Sequence, residues 1–148
     1  MCYLNMIKIR EFKINDYDDV IKLWISSNLP FKPHGRDKYD KIEKEIKNDN
    51  SIFLIAEFEG KIIGSVFGTH DGRKGWINRL AISPHFQGKN LANKLCNNLE
   101  NRFYNLGIEI IGCLIENWNE KSIKFFEKIG FKKHEDIIYF SKRNKIYI

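Results

Sequence analysis

The chain has 148 residues, of which 43% are hydrophobic and 30% charged, and a formal net charge of +6. This length and balance point to a single domain, 1–148, large enough to bury a core without disulfide or metal staples. They exclude a helical membrane span, because no apolar run approaches the ~18 residues one needs. They also give no concentrated basic face for a nucleic acid, since lysines alternate with acids in stretches such as "DKYDKIEKEIKND".

Residues 1–5 are expected to form a loose tail, and no apolar leader with a cleavage site follows them, so a cytoplasmic setting is expected. From Met6, "MIKIREF" alternates as a strand does. Asp16 is placed to cap a helix whose apolar positions Tyr17, Val20, Ile21 and Trp24 share one face. "NLPFKPHGRD" then breaks the pattern with two prolines and a glycine and reads as a loop. "KYDKIEKEIKND" reads as a short solvated helix.

Beyond it the period changes. "SIFLIAEF" and "KIIGSVFG" are strand-like runs separated by "EG", the signature of a hairpin. "HDGRKG" is a second turn and "WINRLAI" a third strand, ended by Pro84. Gln87 to Leu106 reads as a helix with Leu91, Leu95, Leu99 and Phe103 on one stripe, and Gly107 as its stop. "IEIIGCLIE" is an almost unbroken apolar run, expected to be a strand buried on both faces. "NEKSIKFFEKIGF" reads as a helix between Asn119 and Gly130, and "DIIYFSKR" as a last strand. The order β-α-α-β-β-β-α-β-α-β predicts an α/β domain with a central twisted mixed sheet of about six to seven strands and helices on both faces. The three cysteines, Cys2, Cys96 and Cys113, are odd in number and far apart. They form neither a disulfide framework nor a zinc pattern, read as small buried hydrophobes, and no metal is expected.

The segment "QGKNLA", Gln87 to Ala92, lies between a strand and a helix. A helix N-terminus there carries unpaired N–H groups and a partial positive charge suited to a pyrophosphate. Gly88 allows close backbone approach, Lys89 adds charge and Ala92 is small. The alternative is an ordinary helix start with Lys89 solvated.

With Gln87 first and Ala92 last, and Asn90 where a glycine is usual, this segment resembles the acetyl-CoA signature of the GNAT superfamily of N-acetyltransferases. The upstream "RLAISP" resembles the family's fourth strand. Downstream, Asn119, Ser122, Phe125, Phe126, Gly130 and Phe131 are similar to its second motif. The resemblance spans about Met6 to Lys142. It implies that the backbone of Leu80, Ala81 and Ile82 pairs with the pantetheine arm and that the N–H groups of Gln87, Gly88, Lys89, Asn90, Leu91 and Ala92 hold the pyrophosphate. It implies further that Asn119, Ser122, Phe125 and Phe126 line the thioester end, although Asn119 also reads as a helix cap and the two phenylalanines as core. The implied reaction is attack of a primary amine, on a small molecule or peptide, at the thioester of acetyl-CoA.

Three departures bear on that chemistry. Phe126 stands where the family often has a tyrosine to protonate the leaving thiolate. Trp76 and Asn78 stand at cleft-facing places on the fourth strand, and neither is a base. Glu116 is then the best candidate base and Tyr139 a substitute acid, each with a plainer reading as a strand-end carboxylate or an edge aromatic. Lys32, His34 and Arg36 fall in the loop that covers the acceptor in this superfamily, and His70 and Asp71 precede the turn before the fourth strand. A basic loop favours an acceptor with a carboxylate or phosphate near its amine. The absent tyrosine also leaves open a catalytically weak acetyl-CoA-binding module. Many members of the superfamily pair as dimers, so a homodimer is a further expectation.

Overall fold

The structure, a computed structural model, describes residues 6–146. Among these, five strands form one sheet in the order β1-β2-β3-β4-β5: Lys8–Glu11, Ser51–Phe58, Lys61–His70, Lys74–Ile82 and Ile110–Cys113. Neighbours are antiparallel except β4 and β5, which are parallel. Four α-helices, α1 Tyr17–Ser26, α2 Tyr39–Glu45, α3 Leu91–Asn105 and α4 Glu120–Lys128, cover the sheet.

Alternation along the central strands explains the two layers. On β2, Phe53 and Ile55 join Val20, Leu23 and Trp24 of α1 and Ile42 of α2 in one core. Leu54 and Ala56 face the other way and pack with Leu91, Leu95, Leu99 and Phe103 of α3 and Phe126 of α4. A period of two thus divides one strand between two cores. The β2–β3 turn is two residues long, with Glu59 (φ 51°) and Gly60 (φ 77°) both left-handed, the geometry a tight hairpin needs.

Three expectations are corrected. The sheet has five strands rather than six to seven, because "DIIYFSKR" joins no ladder. β5 is shorter than "IEIIGCLIE" and is an edge strand, not one buried on both faces. An apolar run alone cannot tell a central strand from an edge that awaits a neighbour. The helix expected from Gln87 begins at Leu91, since Pro84–Phe86 forms a separate 3-10 turn and Gln87 is extended.

Candidate functional site

The site is built where β4 leaves its neighbour. β4 pairs with β5 only from Lys74↔Ile110 to Ile77↔Cys113. On its other side β4 stays paired with β3 to the end, through Val66↔Leu80, Ser65↔Ala81 and Gly64↔Ile82. The register between β3 and β4 shifts at Phe67/Gly68, so that Asn78 is an extra residue on β4. Such a bulge bends a strand and ends its pairing. Beyond Ile77 the β5-facing edge of β4 pairs with no strand among the described residues, and Leu80, Ala81 and Ile82 lie along it.

The chain then turns into α3 through backbone that few residues tolerate. Gly88 has φ 75° and Asn90 φ 64°, ψ 13°. Asparagine is among the non-glycine residues that enter this left-handed region most readily. The Asn90 side chain does not cap the helix, and its Oδ1 accepts instead from Asn93 Nδ2 at 3.3 Å. The Asn90 carbonyl accepts from the Lys94 N–H at 3.1 Å, and its side chain supplies no further acceptor to the backbone at the start of α3. Lys89 Nζ lies 5.6 Å over the Phe86 ring.

A short polar chain ties this turn to α4. Gln87 Nε2 donates to the Ile82 carbonyl at 3.2 Å, and Lys121 Nζ donates to Gln87 Oε1 at 2.8 Å. The end of β4, the start of α3 and the start of α4 are brought together by these two bonds. Asn119 caps α4, accepting from the Ser122 N–H at 3.2 Å. Phe126 is buried, with the rings of Phe125 and Phe131 each 5.1 Å away edge-on, so it is a core residue as well as a site candidate.

On the opposite face of β4, Arg79 organises the loop between α1 and α2. Its Nη2 donates to Asp37 Oδ2 at 2.7 Å, and its guanidinium sits 5.7 Å over the Trp24 ring. Asp37 is buried, and its Oδ2 also accepts from the Lys32 N–H at 2.6 Å. Tyr17 Oη donates to the Asp37 carbonyl at 2.7 Å. Burial, with the Asp37 carboxylate beside it, pushes Glu45 above the usual carboxylate range. Sequence reasoning passed over Arg79, Asp37 and Tyr17. The one available signal was a lone acid, Asp37, closing the basic stretch "KPHGR".

The chain as a whole matches known proteins. A model of the acetyltransferase (GNAT) family matches residues 17–131. The chain belongs to this family. It is 30% identical over 137 residues to acetyltransferase SG1711 of Sodalis glossinidius (strain morsitans), covering 93% of this chain and 95% of that protein. Its fold is similar to that of a PaiA N-acetyltransferase from Thermoplasma acidophilum in complex with coenzyme A, with TM-score 0.77 and 22% identity over 85% of this chain and 89% of that one. It is also similar to an aminoglycoside acetyltransferase from an uncultured soil metagenomic sample in complex with sisomicin, with TM-score 0.78 and 18% identity over 95% and 98% of the two chains. The chain is therefore a GNAT acetyltransferase.

Within this GNAT frame, the candidates from Leu80 to Ala92 lie in one continuous stretch of backbone, and Asn119 to Phe126 stand beside it. Of the two catalytic candidates, Glu116 meets this group through its backbone. Glu116 is exposed in the loop after β5, where its carbonyl accepts from the Asn119 N–H at 2.9 Å. Tyr139 is exposed in a segment outside the sheet. His70 and Asp71 lie at the opposite end of β4 from the 87–92 turn, and Asp71 Oδ1 accepts from the Arg73 and Lys74 N–H groups there. His34 and Arg36 are exposed on the α1–α2 loop. Burial pushes the Cys96 thiol up to about 12 and the Cys113 thiol up to about 11; Cys96 is a buried hydrophobe as expected, whereas Cys113 is only half-buried. Residues 1–5, the expected loose tail that includes Cys2, lie outside the described residues.

Proposed function

We propose that this acetyltransferase moves the acetyl group of acetyl-CoA to a primary amine of a small molecule or peptide by direct attack on the thioester. The observation that carries the reading is the parting of β4 from β5 at Ile77/Cys113, directly before the left-handed turn at Gly88 and Asn90. In this reading the open edge of Leu80 to Ile82 takes the amide groups of the pantetheine arm as an added strand would. The N–H groups from Gln87 to Ala92, at the positive end of α3, take the pyrophosphate. Asn119, Ser122, Phe125 and Phe126 border the thioester end.

The chemistry then rests on placement. In this reading a backbone N–H of β4 near its parting from β5 stabilises the carbonyl oxygen as it gains charge. The leaving thiol has an ordinary pKa near ~8.5, as for cysteine, so it departs as thiolate at modest cost without an acid at Phe126. Orientation alone can supply roughly 7–11 kcal/mol. Glu116, exposed near the start of α4, is the proposed base, acting directly or through water on the incoming ammonium. The basic residues Lys32, His34 and Arg36 favour an acceptor with an acidic group near its amine. Aminoglycoside acetyltransferases are among the similar folds, and amine-bearing small molecules are the first acceptors to try.

Two measurements test this. Acetyl-CoA at about 100 times its Kd stabilises the fold by about 2.7 kcal/mol, seen as a rise in Tm, and RNA does not. Thiol release from acetyl-CoA is then followed across amino acids, polyamines, aminoglycosides and peptides. Tight binding of acetyl-CoA with no turnover on any acceptor would overturn the reading in favour of a binding module.

A further inference from the structure

We infer that the Gln87 side chain holds a place on the edge of β4 that the pantetheine arm must take from it, and that Lys121, released from Gln87 in the exchange, turns to a phosphate of acetyl-CoA. The inference rests on the cofactor site proposed above and adds to it the side chains of Gln87 and Lys121.

The direction of one carbonyl carries the first half. The Ser83 N–H donates to the Ile63 carbonyl at 2.8 Å, so residue 83 turns its backbone groups toward β3. In an antiparallel pair, hydrogen-bonded and non-hydrogen-bonded positions alternate along the strand. Ile82, one residue earlier and opposite Gly64, therefore turns its carbonyl away from β3, to the side on which β4 has parted from β5. Gln87 Nε2 donates to that carbonyl at 3.2 Å. A primary amide thus stands on the edge where the amides of the pantetheine arm pair in the proposed site, and it makes the bond that one of them would make. The Gln87 amide and an added strand compete for Ile82.

Lys121 holds the competitor in place. Its Nζ donates to Gln87 Oε1 at 2.8 Å, so the amide is gripped at both ends, its nitrogen on β4 and its oxygen on α4. Both side chains are exposed and can part without opening the core. Lys121 lies in the first turn of α4, and Gln87 is the first of the residues whose N–H groups are proposed to take the pyrophosphate. An ammonium bonds a charged oxygen more strongly than a neutral amide oxygen. Displacement of Gln87 therefore gives Lys121 an acceptor it prefers, and this second contact offsets part of the cost of the first.

The test is the Kd and association rate of acetyl-CoA on the full chain, by calorimetric titration and stopped-flow tryptophan fluorescence. Gln87→Ala and Gln87→Met both keep the backbone N–H of residue 87 and remove the side-chain donor. Each is expected to bind acetyl-CoA about two- to tenfold more tightly, the weight of one hydrogen bond, and to associate faster. On the Gln87→Ala background no bridge remains to be broken, so Lys121→Met there isolates the phosphate contact. It is expected to weaken acetyl-CoA by about threefold or more and to flatten the dependence of Kd on salt. A bridge that only braced the turn would make the Gln87 variants bind more weakly, not more tightly. Gln87 variants that bind no more tightly than the wild type overturn the inference. So does Lys121→Met with no effect on the Gln87→Ala background. Either result, with acetyl-CoA bound by the wild-type chain, leaves the proposed cofactor site standing, whereas a wild-type chain that binds no acetyl-CoA overturns both.

Discussion

Asn90 is the residue on which the turn into α3 depends. Its φ of 64° answers why a non-glycine residue stands at a position where glycine is usual: the backbone needs the left-handed region, and asparagine enters it. Asn90→Gly is therefore expected to leave acetyl-CoA affinity within about twofold, while Asn90→Val loses about 1–2 kcal/mol of stability and weakens binding. Calorimetric titration and thermal denaturation read both. Phe126 gives the opposite case. Its ring is enclosed by Phe125 and Phe131, so Phe126→Tyr places a hydroxyl in a core. We expect a loss of about 1–2 kcal/mol and no gain in kcat. A gain in kcat with acetyl-CoA binding intact would show that thiolate protonation limits the rate. Both positions were legible as motif members, but only their backbone angle and ring contacts distinguish a tolerated substitution from a chemical one.

Elements meet through particular gaps and posts. α3 lies close on β3 and β4 because Gly64, Gly68 and Gly75 leave room for it. A Cβ at Gly68 would stand 2.8 Å from Leu99 Cδ1 and Phe103 Cζ. Gly68→Ala is expected to cost about 1–3 kcal/mol through overpacking, measured by urea denaturation. The α1–α2 loop is seated by the Arg79–Asp37 pair, with side chains only 15% and 7% exposed. Asp37→Ala leaves Arg79 without its carboxylate and is expected to cost about 3 kcal/mol. Replacing both residues by apolar ones recovers most of that loss if the cost is the unpaired charge. The sequence order of elements was readable from periodicity, because periods of 2 and 3.6 are local properties. The extent of β5 and the fate of "DIIYFSKR" were not, because strand pairing depends on a neighbour that no local pattern supplies.

Over the whole molecule, acid stability should follow the ion pairs that tie the first strand to its surroundings. Arg10 bonds both Asp16, at 2.9 Å, and Glu57, at 2.6 Å. The Arg10 guanidinium holds the Asp16 carboxyl below its ordinary 3.8. A lowered carboxylate contributes stability that is full above its unfolded value and lost as pH falls through its folded one. Wild-type stability should thus drop on acidification below about pH 4, and Asp16→Asn, less stable at neutral pH, should show a shallower drop. Urea midpoints measured from neutral pH down through that range check the slope. By itself the sequence determined the alternating strands, the helix stripes and the family, because each is written in spacing along the chain. Only the tertiary structure decided where β4 leaves β5, which face carries Arg79, and that Asp37 reaches it across 42 positions. Those depend on register and on a one-residue bulge at Asn78, and a shift of one residue there would turn every following side chain to the other face.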